Sequence, residues 1–434
     1  MRFLFVAATL AALAASSHAT PAAAQASDPM PVGPPTPPGA AMAPTPLPAR
    51  LTLAQTLEAA DARSPRIAAA AAEVEAARGR RRQSSFRFNP EISVEIENFA
   101  GTGAYSGFNG RETTVAINQR LDLGERRHAR MTLADAELIA AQYRLEIARA
   151  DLALAIRDSF ADAIAARDTL ALARENEVRA RELARVAQTL VDTGNEPPLR
   201  ALRANSALVQ TVADLRSAEA AERTARRSLA ALIGLDTPPA ELIDSDPAAM
   251  PEAIDPRTTL DVRLAETQRA IAEARLGSAR AEGRVDPSVG VGVRQISETG
   301  DRALVASLSL PLPIFDRNQG NVAAARSDIT ASVARRDDAI LTAQAEIANG
   351  EAQLASAEAR LAALEGSAIE QAREAVRLAE LSYRAGKSSL VEYLDAQQAY
   401  AETQAALIAA RRARAEARAV LLRQAAAIPG GEQP

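Results

Sequence analysis

The 434-residue chain is 47 % hydrophobic but only 3 % aromatic, with 24 % charged residues, a formal net charge of −5, and no cysteine or tryptophan. The missing cysteines exclude disulfides, thiolate metal sites, cysteine nucleophiles and a lipid-modified N-terminal cysteine. Two histidines, His18 and His128, are too few for a histidine-based triad or metal site, and the mild acidity offers no basic footprint for nucleic acid. Most of the apolar fraction is alanine, the best helix former and a poor core filler, so the composition predicts long, closely packed helices and argues against an enzyme.

The N-terminus reads as an address. Met1-Arg2 precedes an apolar run to residue 15, then two small-x-small sites, Ser17-His18-Ala19 and Ala24-Gln25-Ala26. This is the pattern of a secretory signal peptide, read as 1–26 with Ala19 as the other cleavage point; the run is too short to span a membrane. Residues 27–50 are dense in Pro and Ala and read as an extended tether. No later stretch holds about 18 uninterrupted apolar residues, so no transmembrane helix is expected.

The remainder is written twice, at an offset of about 192–197 residues. Asn89-Pro90 corresponds to Asp286-Pro287, Leu121-Asp122-Leu123-Gly124 to Pro313-Ile314-Phe315-Asp316, and Gly194 to Gly386. The first repeat is read as 51–245, the second as 246–428, and 429–434 as a tail. Each half reads helix, strand, loop, strand, long helix, turn, long helix.

In the first half, residues 90–99 alternate Ile92, Val94 and Ile96 against Ser93, Glu95 and Glu97. Residues 113–123 set Val115, Ile117, Leu121 and Leu123 against Asn118, Arg120 and Asp122. In the second half, Val289, Val291 and Val293 lie in a strand at 287–296, and Leu304, Leu308, Leu310 and Leu312 mark one at 303–312. Such runs of about ten residues suit either a transmembrane barrel strand or a half-exposed soluble sheet. Four strands cannot close a barrel, for which about eight are needed, and a membrane tolerates no open edge. The choice is therefore a small soluble sheet or one share of an oligomeric barrel. The loops 100–110 and 297–301 are polar and contain glycine.

Residues 125–191 contain neither proline nor glycine, enough for a helix of roughly 100 Å. Leu145, Leu152, Ile156, Phe160, Ile164, Leu170, Val178 and Leu183 mark its apolar stripe. Residues 321–385 match it, weakened by Gly350 and Gly366, and 198–233 and 388–427 are the return helices. A soluble coiled coil would not explain two interruptions by strand pairs at equivalent places.

These residues resemble a known family. The stretch 89–99, Gly101-Thr102-Gly103 and Glu112-Thr113-Thr114 are similar to the first strand pair of TolC-type outer-membrane efflux proteins. The closer likeness is to the branch serving cobalt–zinc–cadmium resistance pumps. Residues 119–124 with Arg126-Arg127 and Ala129-Arg130 fit the same branch. The run 383–397, from Tyr383-Arg384-Ala385-Gly386-Lys387 to Asp395-Ala396-Gln397, is similar to the family's second hairpin turn. The resemblance implies a mainly α chain with a small β part: a trimeric α-helical barrel continuous with a twelve-stranded outer-membrane β-barrel, four strands per chain, built on an internal tandem repeat. It implies a passive exit duct for heavy-metal cations among outer-membrane lipids, docked on a periplasmic membrane-fusion adaptor and a proton-driven inner-membrane pump of the RND type, with no cofactor. The same duct serving drug efflux or type I secretion, and a soluble periplasmic coiled coil, are the alternatives.

The resemblance also places functional residues. Glu392 and Asp395, six and nine residues after Gly386, fall where the family rings its periplasmic constriction with acids. In a trimer such rings repel anions and favour cations; an ordinary solvated acidic face is the plain alternative. Their repeat counterparts are Arg200 and Arg203. The family usually has an acid at the position of Arg200, so this departure suggests a latch pairing these arginines with Glu392 or Asp395 across neighbouring hairpins. Tyr383 matches a gate position, with core packing the equal alternative. Gly194, Pro197, Pro198, Gly386, Lys387 (the only lysine) and Ser388 mark the tips where adaptors dock in the family. His128 reads as a surface residue. Arg126, Arg127 and Arg130 either meet anionic groups at the inner membrane face or cover a solvated helix start.

Overall fold

A computed structural model describes residues 50–122, 125–244, 249–251 and 253–426. The segments expected as leader and, up to residue 49, as tether, together with Leu123-Gly124, the expected repeat boundary at 245–246 and the expected tail at 429–434, lie outside the described residues.

The chain enters on a short strand, β1 (Arg50–Thr52), and α1 (Leu53–Arg63), which opens on a capping box between Thr52 and Gln55. Pro65 ends α1 by forcing Ser64 into an extended conformation, and it then opens α2 (Pro65–Ser84) at the first helical position, where its missing N–H costs nothing. Strands β2 (Glu91–Glu97) and β3 (Glu112–Arg120) lead into α3 (Glu125–Asp192), a helix of 68 residues, and the return helix α4 (Pro198–Ile233). The second half repeats the order. A three-residue strand β4 (Glu241–Ile243) is followed by α5 (Leu260–Glu282), β5 (Ser288–Ile296), β6 (Arg302–Ser309), α6 (Gln319–Ala363), α7 (Ile369–Arg384) and α8 (Leu390–Gln424).

The long helices appear where the missing Pro and Gly predict them, and the differences have local causes. The stretch expected as one helix over 321–385 is broken into α6 and α7 by a π-turn at Leu364–Ala368, centred on Gly366. The last helix starts at Leu390 because Ser389 caps it. Val178 leaves the stripe: it is 62 % exposed, whereas Leu152, Ile156, Phe160, Ile164, Leu170 and Leu183 are buried. Over a helix this long, 3.6 residues per turn drifts against a seven-residue repeat. By position 177 the inward face holds Glu177, buried and ion-paired with Arg181 one turn on.

Strands β1 and β4 pair in parallel, Leu51 opposite Leu242, and both leucines enter a core with Ile156, Phe160, Leu229 and Ile233. Towards the sheet the cores become alanine-rich: Ala136 and Ala140 pack with Ile271, and Ala141 with Val74 and Ala77. Small side chains let the helices lie close, as the composition requires.

The other sheet is antiparallel in the order β2-β3-β5-β6, so the two halves meet at β3–β5 and both outer strands keep an unpaired edge. Its register stacks the alternating residues into rows. Val94, Val115, Val293 and Leu304 form one, and Ile92, Ile117, Val291 and Ala306 the next. This apolar face is left open by the described residues: Ile92 is 73 % and Leu304 80 % exposed. Leu310 and Leu312, expected at the end of the last strand, lie beyond β6 and are also exposed. The opposite face carries Ser93, Glu95, Thr114, Asn118, Arg294 and Ser307.

The basic cluster after β3 is bonded within the fold. Arg126 donates to the carbonyls of Ala281, Glu282 and Arg284 at the end of α5 and to the Asp286 carboxylate, at 2.6–3.1 Å. A hydrogen bond involving a charged group contributes about 1.5–3 kcal/mol net where it is shielded from water, as the bonds to Ala281 and Asp286 partly are. Arg127 caps α2 at the Ser85 carbonyl, and Arg130 pairs with Asp122 while stacking on Phe88. His128 is exposed, as expected.

In the seam between α3 and α8, burial and the nearby carboxylates Glu416 and Asp162 push the Asp158 carboxyl up to about 6, against the pull of Arg412 and Arg157. A carboxyl raised above its unfolded value of 3.8 costs stability when ionised; that cost builds as pH rises from the unfolded value to about 6, is complete above 6, and is absent below the unfolded value. Asp158→Asn is therefore expected to raise the melting temperature at pH 7.5, with the gain shrinking as the pH falls through 6. A gain independent of pH from 4 to 8 would refute this account.

Candidate functional site at the hairpin tips

The two helical hairpins end in the same backbone device, 192 residues apart. Gly194 and Gly386 take φ of 74° and 70°, the left-handed region where a side chain is strained. Asn195 and Glu196 N–H groups donate to the Leu190 carbonyl, and Lys387 and Ser388 N–H groups donate to the Ser382 carbonyl. The repeat is thus preserved bond for bond at both turns.

The side chains differ. Pro197 precedes α4 and Ser389 precedes α8 at equivalent positions. In the second hairpin Ser389 and Glu392 form a capping box: the Glu392 N–H donates to the serine hydroxyl at 3.3 Å, and the Ser389 N–H donates to the Glu392 carboxylate at 3.2 Å. Glu392, one of the expected gate acids, is therefore also a helix cap; it and Asp395 are exposed. In the first hairpin the cap position is filled by proline and Arg200 pairs with Glu196, one turn earlier. Among the described residues, no ion pair joins Arg200 or Arg203 to Glu392 or Asp395. The Glu196–Arg200 partnership was legible as an i,i+4 pair, but Glu196 lies before the helix start and draws no notice from periodicity.

Tyr383 is 3 % exposed and stacks on Tyr393, ring centroids 5.9 Å apart at 20°. Both lie in a cluster with Leu183, Ala187, Ala204, Val376, Leu390 and Tyr400, which ties the two hairpins together. Arg179 stacks on Tyr400 from α3. Burial raises the Tyr383 phenol above its ordinary value; Glu196 adds to that shift and Arg200 opposes it, so the tyrosine senses the first hairpin's ion pair. Its hydroxyl has no hydrogen-bond partner among the described residues. The repeat hides this cluster: Val191 and Ala201 stand where Tyr383 and Tyr393 stand, so the aromatics belong to the second hairpin alone. Lys387 is exposed at the tip, and Gly194, Pro197, Pro198 and Gly386 are exposed beside it.

Chemically the tips offer charge, packing and two stiff turns. Among the described residues no group of three His, Asp or Glu side chains is placed to hold a metal ion, and no helix is long and apolar enough to cross a membrane.

The model of the outer membrane efflux protein family matches residues 56–235 and 257–426. The nickel-cobalt-cadmium resistance protein NccC of Alcaligenes xylosoxydans xylosoxydans is 32 % identical over 292 residues, 65 % of this chain and 66 % of that protein, just under two thirds of its length. The cobalt-zinc-cadmium resistance protein CzcC of Cupriavidus metallidurans is 26 % identical over 365 residues, 80 % of this chain and 83 % of that one. In structure, the outer membrane protein VceC of Vibrio cholerae superposes with a TM-score of 0.73 at 20 % identity, over 87 % of this chain and 96 % of that one.

Proposed function

The chain belongs to the outer membrane efflux protein family, and from that premise we propose that it is the outer-membrane duct of a tripartite pump, exporting divalent heavy-metal cations. The observation that carries the reading is the sheet: four strands, two open edges and an apolar face that none of the described residues covers. Three copies joined edge to edge close a twelve-stranded barrel, with no unpaired backbone left in the bilayer. The strands are seven to nine residues long, at the short end of a tilted span, for which about 9–11 residues are usual. The exposed aromatics sort to its two ends: Phe86, Phe88 and Phe315 on the helix side, and Phe99, Tyr105 and Phe108 on the loop side. This is the arrangement of two interfacial girdles. The exposed sheet and the family set aside the soluble coiled coil.

In this reading α3, α4, α6, α7 and α8 of three copies form the helical duct, and the hairpin tips are its gate. Glu392 and Asp395 ring the constriction, Tyr383 supports its closed packing, and Gly194, Pro197, Pro198, Gly386, Lys387 and Ser388 meet a periplasmic adaptor that couples to a proton-driven inner-membrane pump. Arg203 is exposed and Arg200 half-buried; pairing with the acids across copies latches the gate at about 0.2–1 kcal/mol per pair. The cargo class rests on NccC and CzcC, whose names assign them to nickel, cobalt, zinc and cadmium resistance.

Deleting the gene is expected to sensitise the host to a subset of cobalt, nickel, zinc and cadmium, with resistance restored by the wild-type copy. Sensitivity to lipophilic drugs alone would move the duct to the drug-export branch. Reversing the charges of Arg200 and Arg203 is expected to raise open probability in planar bilayers at low salt, and unchanged conductance would remove the latch.

A further inference from the structure

On the polar face of the sheet, Glu97 and Glu112 stand directly opposite each other in the β2–β3 register. Like charges in facing positions repel and destabilise a strand pair. Arg294, reaching across from β5, resolves the conflict. Its guanidinium lies 3.0 Å from the Glu97 carboxylate and 3.0 Å from that of Glu112, and its Nε donates to the Thr114 hydroxyl at 3.0 Å. One side chain thus uses all three nitrogens on two strands that are not its own. The surroundings are crowded in the same sense: a Cβ at Gly290 would collide with Asn118 and Ser307, and one at Gly292 with Ala116.

Two carboxylates and a hydroxyl converging on one cation is also a set of hard oxygen donors, the kind that holds a divalent ion. In a duct for such ions this set faces the lumen, because the apolar face meets lipid. We infer that Arg294 is the duct's built-in competing cation: its tethered guanidinium occupies the Glu97–Glu112 pair, so departing divalent ions are not retained there. A tethered competitor is present at an effective concentration that free ions do not match. Arginine suits the task because its planar fork serves both carboxylates at once, where lysine's point charge serves one. The inference rests on the duct reading above.

The test is block of current through the full-length trimer in planar bilayers, in dilute KCl, with zinc or cobalt chloride added on the loop side. Arg294→Gln is expected to be half-blocked at a metal concentration at least about tenfold below that of wild type, a shift of about 1.4 kcal/mol. Glu97→Gln combined with Arg294→Gln is expected to return the curve to wild type, and block arising at the tip acids is common to all three. Arg294→Lys is expected to lie between, and it serves as the test if the glutamine variant does not assemble. Superimposed block curves for wild type and these variants, all conducting KCl, would overturn the role of Arg294 and leave the duct intact. A protein that passes no KCl current even with the charges of Arg200 and Arg203 reversed would overturn both.

Discussion

The architecture depends on one unmet requirement, the hydrogen bonding of the outer edges of β2 and β6. A half-repeat supplies two strands and the tandem repeat supplies four, joined at β3–β5 where the halves meet. Backbone N–H and C=O groups on an edge are tolerated in water, but in hydrocarbon each unpaired group costs several kcal/mol. The same strands expose valine, isoleucine and leucine in register, so the face that seeks lipid and the edges that cannot bear it belong to one surface. There the sheet needs its edges paired, and in the proposed trimer the neighbouring copy pairs them.

The helices are arranged to serve that sheet. The guanidinium of Arg126 ties the start of α3 to the end of α5, bridging the two halves directly beneath the strands. Arg127 fixes α2 to the same junction. Further down, β1 and β4 clip the chain's entry to the end of the first hairpin. Furthest from the sheet, the two turns are identical in backbone and unlike in side chain. The repeat supplied two equal hairpins, and substitution made one the carrier of aromatic packing and the other the carrier of an arginine pair.

Much of this was readable from local pattern. The absence of helix breakers fixes Glu125–Asp192 and Pro198–Ile233 within a residue or so, and alternation places all four strands. What stayed hidden depends on partners far apart in the chain. Three residues at Arg50 carry no strand signal until they meet Glu241–Ile243, some 190 positions later. The arginines after β3 read as a loose basic cluster because their acceptors are mostly carbonyls, which no side-chain pattern reveals. Tyr383 and Tyr393 share a helical hairpin but on either side of its turn, so periodicity does not join them. The role of Arg294 follows only from register, which sets Glu97 against Glu112.

Closure by three copies is tested most directly by cysteine pairing, which this chain permits because it has no cysteine of its own. One cysteine is placed on β2 at Val94 and a second is walked along β6 from Leu304 to Leu308, and the protein is oxidised in the outer membrane. The account predicts that one or two of these pairs give covalent dimers and trimers that survive boiling without reductant, and nothing larger. Folded protein that yields only monomers at every β6 position, or an open ladder beyond three chains, would contradict it.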